Sequence, residues 1–220
     1  MVGCSVRTSS RNVAVLLFDE VELLDVASVM QVASLAGRNY NWRPFRLLPV
    51  AQRPGLVSTR SQLRLEATHS FEACPTPEIL FVPGGYGARR AAADEAAVAF
   101  CRAAFSSAEL CFSIGAGVAL LGAAGVLEGA SVATTIEART WLGGSLPNTR
   151  LDEPEAIVSS LDGKLLTAAS SGHGIELALT VVERYLGRRM TLAVRTSLGH
   201  AEIARLQLPE HPIAIPRPQR

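Results

Sequence analysis

The sequence predicts an α/β fold: a three-layer sandwich with a mostly parallel central sheet and helices on both faces. Three observations carry the prediction. Short, apolar, β-branched runs alternate with stretches of helical periodicity along most of the chain. Several runs show no polar alternation, as strands covered on both faces do. Hydrophobic residues make up 48% of the 220 and charged residues 19%, ample for a large buried core.

Val13–Phe18 (VAVLLF) reads as a buried strand. Val26–Ala36 follows as a helix, with apolar residues at Val26, Val29, Met30 and Ala33. Phe45–Ala51 is a second strand, and Leu56–Thr59 with Leu63–Glu66 a small hairpin. Ile79–Val82 is a further parallel strand that runs into Pro83-Gly84-Gly85. Asp94–Ser106 is an amphipathic helix, and the short strand Leu110–Ser113 feeds a Gly/Ala-rich turn and the helix Gly117–Ala124. Ser131–Thr134 (strand), Ile136–Gly143 (helix), and strands at Ala156–Ser159 and Leu165–Ala168 come next. Gly174–Leu186 is the last strong helix. Such alternation is of the flavodoxin-like kind, with right-handed crossovers between parallel strands. There is no internal repeat, and no linker is long enough to split the chain. The expected organisation is a leader over 1–11, one domain over 12–208 and a Pro-rich tail over 209–220.

Charge excludes some functions. The formal net charge is +1, and no Lys/Arg block exceeds two residues, so nucleic acid is not an expected partner. No apolar run reaches a membrane span, and the first eleven residues lack the apolar stretch of a secretory signal. Cys4, Cys74, Cys101 and Cys111 form no C-x-x-C pair and read as free thiols of a reducing, cytoplasmic compartment. No His/Cys/Asp spacing suggests a metal, and no cofactor is expected.

In an open α/β sheet, sites form at the carboxyl ends of strands. Three segments meet that condition. In Phe81–Gly87 (FVPGGYG), Gly84 and Gly85 let the backbone turn and aim N–H groups into a crevice, although Pro-Gly-Gly is also an ordinary turn. In Cys111–Gly129, a strand, a tight small-residue turn and a helix succeed one another, the geometry of a nucleophile elbow. In Leu16–Ser28 (LLFDEVELLDVAS), the first strand exits into an acidic loop with Asp19, Glu20, Glu22 and Asp25. Local pattern favours Asp25 as a helix N-cap, with partial burial at a site as the alternative.

The order of these segments resembles the PfpI/ThiJ superfamily of class I glutamine amidotransferase-like proteins, nearest to isonitrile hydratases and to the amidotransferase-like domains of AraC-type regulators. The resemblance rests on LLDVAS around Asp25, VPGGYG, SIGAGVALLGAAGVLEG, ATT at Ala133–Thr135 and DGKLLTAASSGHGIELAL at Asp162–Leu179. It runs from about Val13 to Gly187.

The chain departs from the family around the implied pocket. The family elbow reads S-V-C-T-G-A. With A-G-V-L-E-G as anchor, Gly115 stands at the cysteine position and Ala116 at the threonine. Glycine has no side chain, which rules out a covalent intermediate there. ATT is followed by Ile136 and Glu137 where the nearest branch often has H-W. Cys111 lies in the strand and is expected to point into the sheet packing; Cys101 and Cys74 are expected to be inert.

The remaining acid–base candidates are Asp25, Glu20 and His173, the last in a loop that borders the crevice in this family, with helix capping as its alternative. The resemblance implies a substrate site formed by Gly84, Gly85, Gly115, Ala116 and Ile136. Two functions follow. One is a small-molecule enzyme without a covalent cysteine intermediate, carrying out hydration, isomerisation or cyclisation of a polarised C=N or C=C system. The other is a non-catalytic ligand-binding or sensor domain. A homodimer is implied by the family, with Leu23–Met30 and Leu198–Leu208 as candidate surfaces.

Overall fold

A computed structural model describes residues 10–38, 42–144, 146, 148–152 and 157–199. Four parallel strands make the centre of a seven-stranded sheet: β1 (Arg11–Leu16), β2 (Phe45–Ala51), β6 (Ile79–Val82) and β7 (Leu110–Ile114). β5 (His69–Ser70) extends it beyond β2. On the other side stand β11 (Leu165–Ala168), parallel to β7, and β10 (Ile157–Ser160), antiparallel to β11. The order is β10-β11-β7-β6-β1-β2-β5. A hairpin of β3 (Gly55–Ser58) and β4 (Arg64–Ala67), and a pair of β8 (Ser131–Val132) and β9 (Arg150–Leu151), lie outside the main sheet.

The period of two along each strand explains the layers. Val13 and Val15 face one core with Ile79, Phe81, Phe112 and Ile114. That core is covered by α1 (Leu23–Leu35), through Val26, Val29 and Val32, and by α6 (Gly174–Ser197), through Leu177, Ala178 and Val181. Ala14, Leu16, Leu80, Val82 and Cys111 face the opposite core. There they meet α2 (Ala88–Ala91), α3 (Glu95–Ser107), α4 (Val118–Ala123) and α5 (Ile136–Leu142). Phe81 and Phe112 are register partners on β6 and β7, and their rings stack at 4.7 Å, a cross-strand pair that fixes the sheet centre.

Most predicted elements stand, with small shifts. Ile79–Val82 and Leu165–Ala168 match to the residue. α3 starts where Asp94 caps it, accepting from Ala96 N and Ala97 N at 2.8 and 3.1 Å. β1 begins at Arg11, inside the expected leader, because the Arg11 N–H donates to Pro44 O at 2.8 Å and so joins the ladder to β2. Residues 1–9 and 200–220 lie outside the described residues, and with them most of the leader, most of Leu198–Leu208 and the tail.

α6 is longer than the expected Gly174–Leu186. Gly187 takes φ 77°, ψ 168°, and breaks the helical path at the predicted end. A second helical stretch then runs to Ser197. Arg195 at its end reaches back to make two hydrogen bonds to the Glu176 carboxylate near the start of the first stretch. The two stretches therefore fold against each other. In Leu23–Met30, Val26 and Val29 are buried within the chain's own core, which leaves Leu24 exposed. No described helix is long and apolar enough to cross a membrane.

Candidate active site

The chain proceeds from β1 to β2 on one side and later to β6 on the other, so the sheet's switch point lies between β1 and β6. A crevice forms there outside the strand ends. The loop after β1 is stitched to the loop after β6. Val21 bridges Gly85, Glu22 N donates to Gly84 O at 3.0 Å, and Gly87 N donates to Glu20 O at 3.3 Å. Such closeness requires glycine. Gly85 has φ +126°, and a Cβ there would sit 2.5 Å from both Glu20 O and Glu22 N.

Asp25 projects into this junction from the first turn of α1. The cap reading fails: Glu22 occupies the N-cap, with no side-chain cap bond, and Asp25 lies three residues further on. Its side chain leaves the helix end because a stronger partner exists in the β6 loop. Gly84 N donates to Asp25 Oδ2 at 2.8 Å. The residue is 1% exposed, and Oδ1 has no hydrogen-bond partner. Burial pushes its pKa from 3.8 up to about 6. The Ser171 side chain and then the Gly84 N–H oppose that rise, and the Glu22 charge adds to it.

β7 delivers the elbow. Its last residue is Ile114, and Gly115–Gly117 form a single 3₁₀ turn before α4. Gly115 has φ +53°, the left-handed conformation expected of a residue held on a strained strand-to-helix bend. A Cβ added there would meet Thr135 Cγ2 at 3.2 Å. The Thr134 hydroxyl donates to Gly115 O at 2.7 Å and pins the turn from beneath.

These pieces line an open cleft of about 890 Å3 that contains Asp25, Gly84, Gly85, Gly115 and Ala116. Five of the eight residues singled out from sequence therefore meet. Ile136 does not join them: it is 65% exposed, and its neighbours Thr135 and Glu137 line the wall instead. His173 is not part of the lining either. Its Nδ1 lies 3.1 Å from Ser170 Oγ, and Ser170 and Ser171 face the cleft in its place. Glu20 stands behind the rim with φ 61°, ion-paired to Arg90 at 3.0 Å and Arg60 at 3.9 Å, both of which line the cleft.

Sequence reasoning missed the rim: Arg60 from the β3–β4 hairpin, Tyr86, Arg89 on α2 and Trp141 on α5. Only Tyr86 lay within a motif already singled out. None of the three described cysteines lines the cleft. Cys101 and Cys111 are buried, and burial pushes the Cys101 thiol up to about 12 and Cys111 well above the ordinary range. Cys74, half-buried in a loop, is raised for the same reason. Among the described residues, no group of three His, Cys, Asp or Glu could hold a metal ion.

A three-layer fold around a mostly parallel sheet, a glycine elbow after a central strand and a buried carboxyl at the switch point together define an α/β protein with an open cleft at its strand ends. Residues 11–184 match the DJ-1/PfpI family, and the chain belongs to it. It is 31% identical over 189 residues to an isonitrile hydratase of Pseudomonas putida, across 84% of this chain and 77% of that one. Among solved structures it resembles a ThiJ/PfpI family protein from Pseudomonas syringae, with TM-score 0.77 and 20% identity over 97% of this chain and 83% of that one. It also resembles an AraC family transcriptional regulator from Pseudomonas putida, with TM-score 0.70 and 25% identity over 86% of this chain and 99% of that one.

Proposed function

We propose that the chain is a small-molecule enzyme in which Asp25 moves protons and no covalent cysteine intermediate forms. The observation that carries this is the Asp25 carboxyl: buried, raised to about 6, with Oδ1 unpartnered in the cleft. A carboxyl of that kind is protonated often enough near neutrality to serve as an acid and basic enough to take the proton back. Support for the absence of covalent chemistry comes from Gly115, which takes the left-handed φ of an elbow residue and has no side chain to react.

The reaction class is hydration, isomerisation or cyclisation of a polarised C=N or C=C group. Likeness to an isonitrile hydratase favours C=N. For an isonitrile, Asp25 would donate its proton to the terminal carbon. Water would add to that carbon and lose a proton to the carboxylate, and a proton shift to nitrogen would leave the N-substituted formamide. One water is consumed, and Asp25 ends protonated as it began. Backbone N–H groups of Gly85 and Ala116 are the candidates to hold the oxygen that water adds to the carbon. Glu20 acts by holding Arg60 and Arg90, and His173 by ordering Ser170. The reading includes a cytoplasmic homodimer.

Likeness to an AraC family regulator favours a second reading, in which the same cleft binds a ligand without turnover. One assay separates the two. Conversion of a panel of alkyl and aryl isonitriles to formamides is followed across pH, before and after treatment with iodoacetamide. Expected is a kcat/KM that falls as pH rises through about 6 and does not change on alkylation. Loss of the rate on alkylation would restore a thiol mechanism. No turnover of any isonitrile would favour the binding domain.

A further inference from the structure

The rim and the floor of the cleft differ in charge. Beside Asp25 the Glu22 charge adds to the rise that burial gives the Asp25 carboxyl. Arg60, Arg89 and Arg90 line the same cleft, and Glu137 lines its wall one turn of α5 from Trp141, so three cations face one acid on that side. Two of these are already engaged: Arg90 and Arg60 share the Glu20 carboxylate, and the Arg60 guanidinium also lies 4.4 Å from the centre of the Tyr86 ring. Arg89 is different. Among the described residues it makes no ion pair, and its one contact of note is with the Trp141 ring, 5.8 Å from guanidinium carbon to ring centre.

A guanidinium without a carboxylate partner, beside an aromatic face in a concave site, is an anion receptor with a planar wall. Trp141 is partly buried and lines the cleft with Arg89. An aromatic body laid along Trp141 places an anionic group on Arg89. A carboxylate turned the other way would meet Glu22, and Asp25 whenever it is ionised, and be repelled. The arrangement therefore imposes an orientation: anion at the rim, polarised uncharged end at the floor.

We propose that the ligand is a small aromatic carboxylate, held through its carboxylate by Arg89 and through its ring by Trp141, with its reactive end toward Asp25. This rests on the reading of the cleft as a small-molecule site and does not require turnover. Arg89 is a binding and orienting residue here, not a proton carrier.

The test is calorimetric binding of two probes of one shape, cinnamate and cinnamamide, to the full chain. Cinnamate is expected to bind at least about tenfold tighter, with a preference that shrinks as salt is added. Arg89→Gln is expected to bring the two within about twofold, while Arg89→Lys, which keeps the charge, retains part of the preference. Arg188→Gln, the same charge change at an exposed position on α6, is expected to leave the preference intact. Equal binding of both probes, stronger binding of the amide, no binding of either at millimolar concentration, or an undiminished preference in Arg89→Gln would each overturn the inference. A chain that keeps the preference yet converts no isonitrile defeats the enzymatic reading alone. One that converts neutral isonitriles without any carboxylate preference defeats this inference alone.

Discussion

Asp25→Asn is expected to lose about 10²–10⁴-fold in turnover and to gain stability at neutral and alkaline pH. Both effects come from one carboxyl. The amide keeps an acceptor for the Gly84 N–H, now at 2.8 Å, so the loop junction survives. It cannot donate and recover a proton near neutrality, so the chemistry does not. The stability change follows from linkage. Burial raises the folded-state pKa from 3.8 to about 6, so the folded protein binds this proton more tightly than the unfolded chain. Stability from this group is thus fully present below pH 3.8 and is lost as pH rises through about 6. The loss amounts to about 3 kcal/mol for a shift of that size. Asparagine has no such dependence. Urea unfolding at pH 8 is therefore expected to show the variant more stable by up to about 3 kcal/mol, with the gain absent near pH 4. A variant that matches the wild type at both pH values would mean that Asp25 is ionised at no cost in the folded state.

Gly117→Ala is expected to unfold the protein or to destabilise it by more than about 3 kcal/mol. Gly117 closes the elbow turn against the end of β6. A Cβ there would lie 2.4 Å from Val82 O, 2.6 Å from Pro83 O and 2.6 Å from Ser113 Oγ. Two of these are backbone carbonyls of the sheet and its exit loop, which cannot rotate away. Relief would require α4 to move off β6, and with it Leu120 and Leu121, both fully buried. Thermal melting by circular dichroism checks this. Gly125→Ala is the comparison: that site has a positive φ but open space around it, so only backbone strain of about 1–2 kcal/mol applies.

The layers were legible because burial on both faces leaves a local mark. β6 and β11 are short runs with no polar residue on either face save Thr167, and such runs have one comfortable place in a sandwich. The elbow was legible too, since Gly115 to Gly117 can only be a tight turn between a strand and a helix. Asp25 was read as a cap because its true partner, Gly84, is 59 residues away and leaves no trace beside it. Ile136 and His173 show the limit of motif reading at single-residue scale. Around a helix start, adjacent residues point to different sides, so Thr135 and Glu137 face the cleft while Ile136 faces solvent. The rim was invisible for a third reason. Arg60, Arg89 and Trp141 come from a hairpin, a four-residue helix and α5, each with ordinary surface composition. Only the tertiary fold brings them together.

The proposed function depends on an Asp25 carboxyl that burial raises to about 6, in a cleft that none of the three described cysteines lines. Titration of the Asp25 side-chain carboxyl carbon by NMR, with Asp25→Asn to assign the resonance, measures that property without knowledge of the substrate. A midpoint near 6 is the expected result. A midpoint near 4, the range of a solvated aspartate, would contradict the proposed proton carrier.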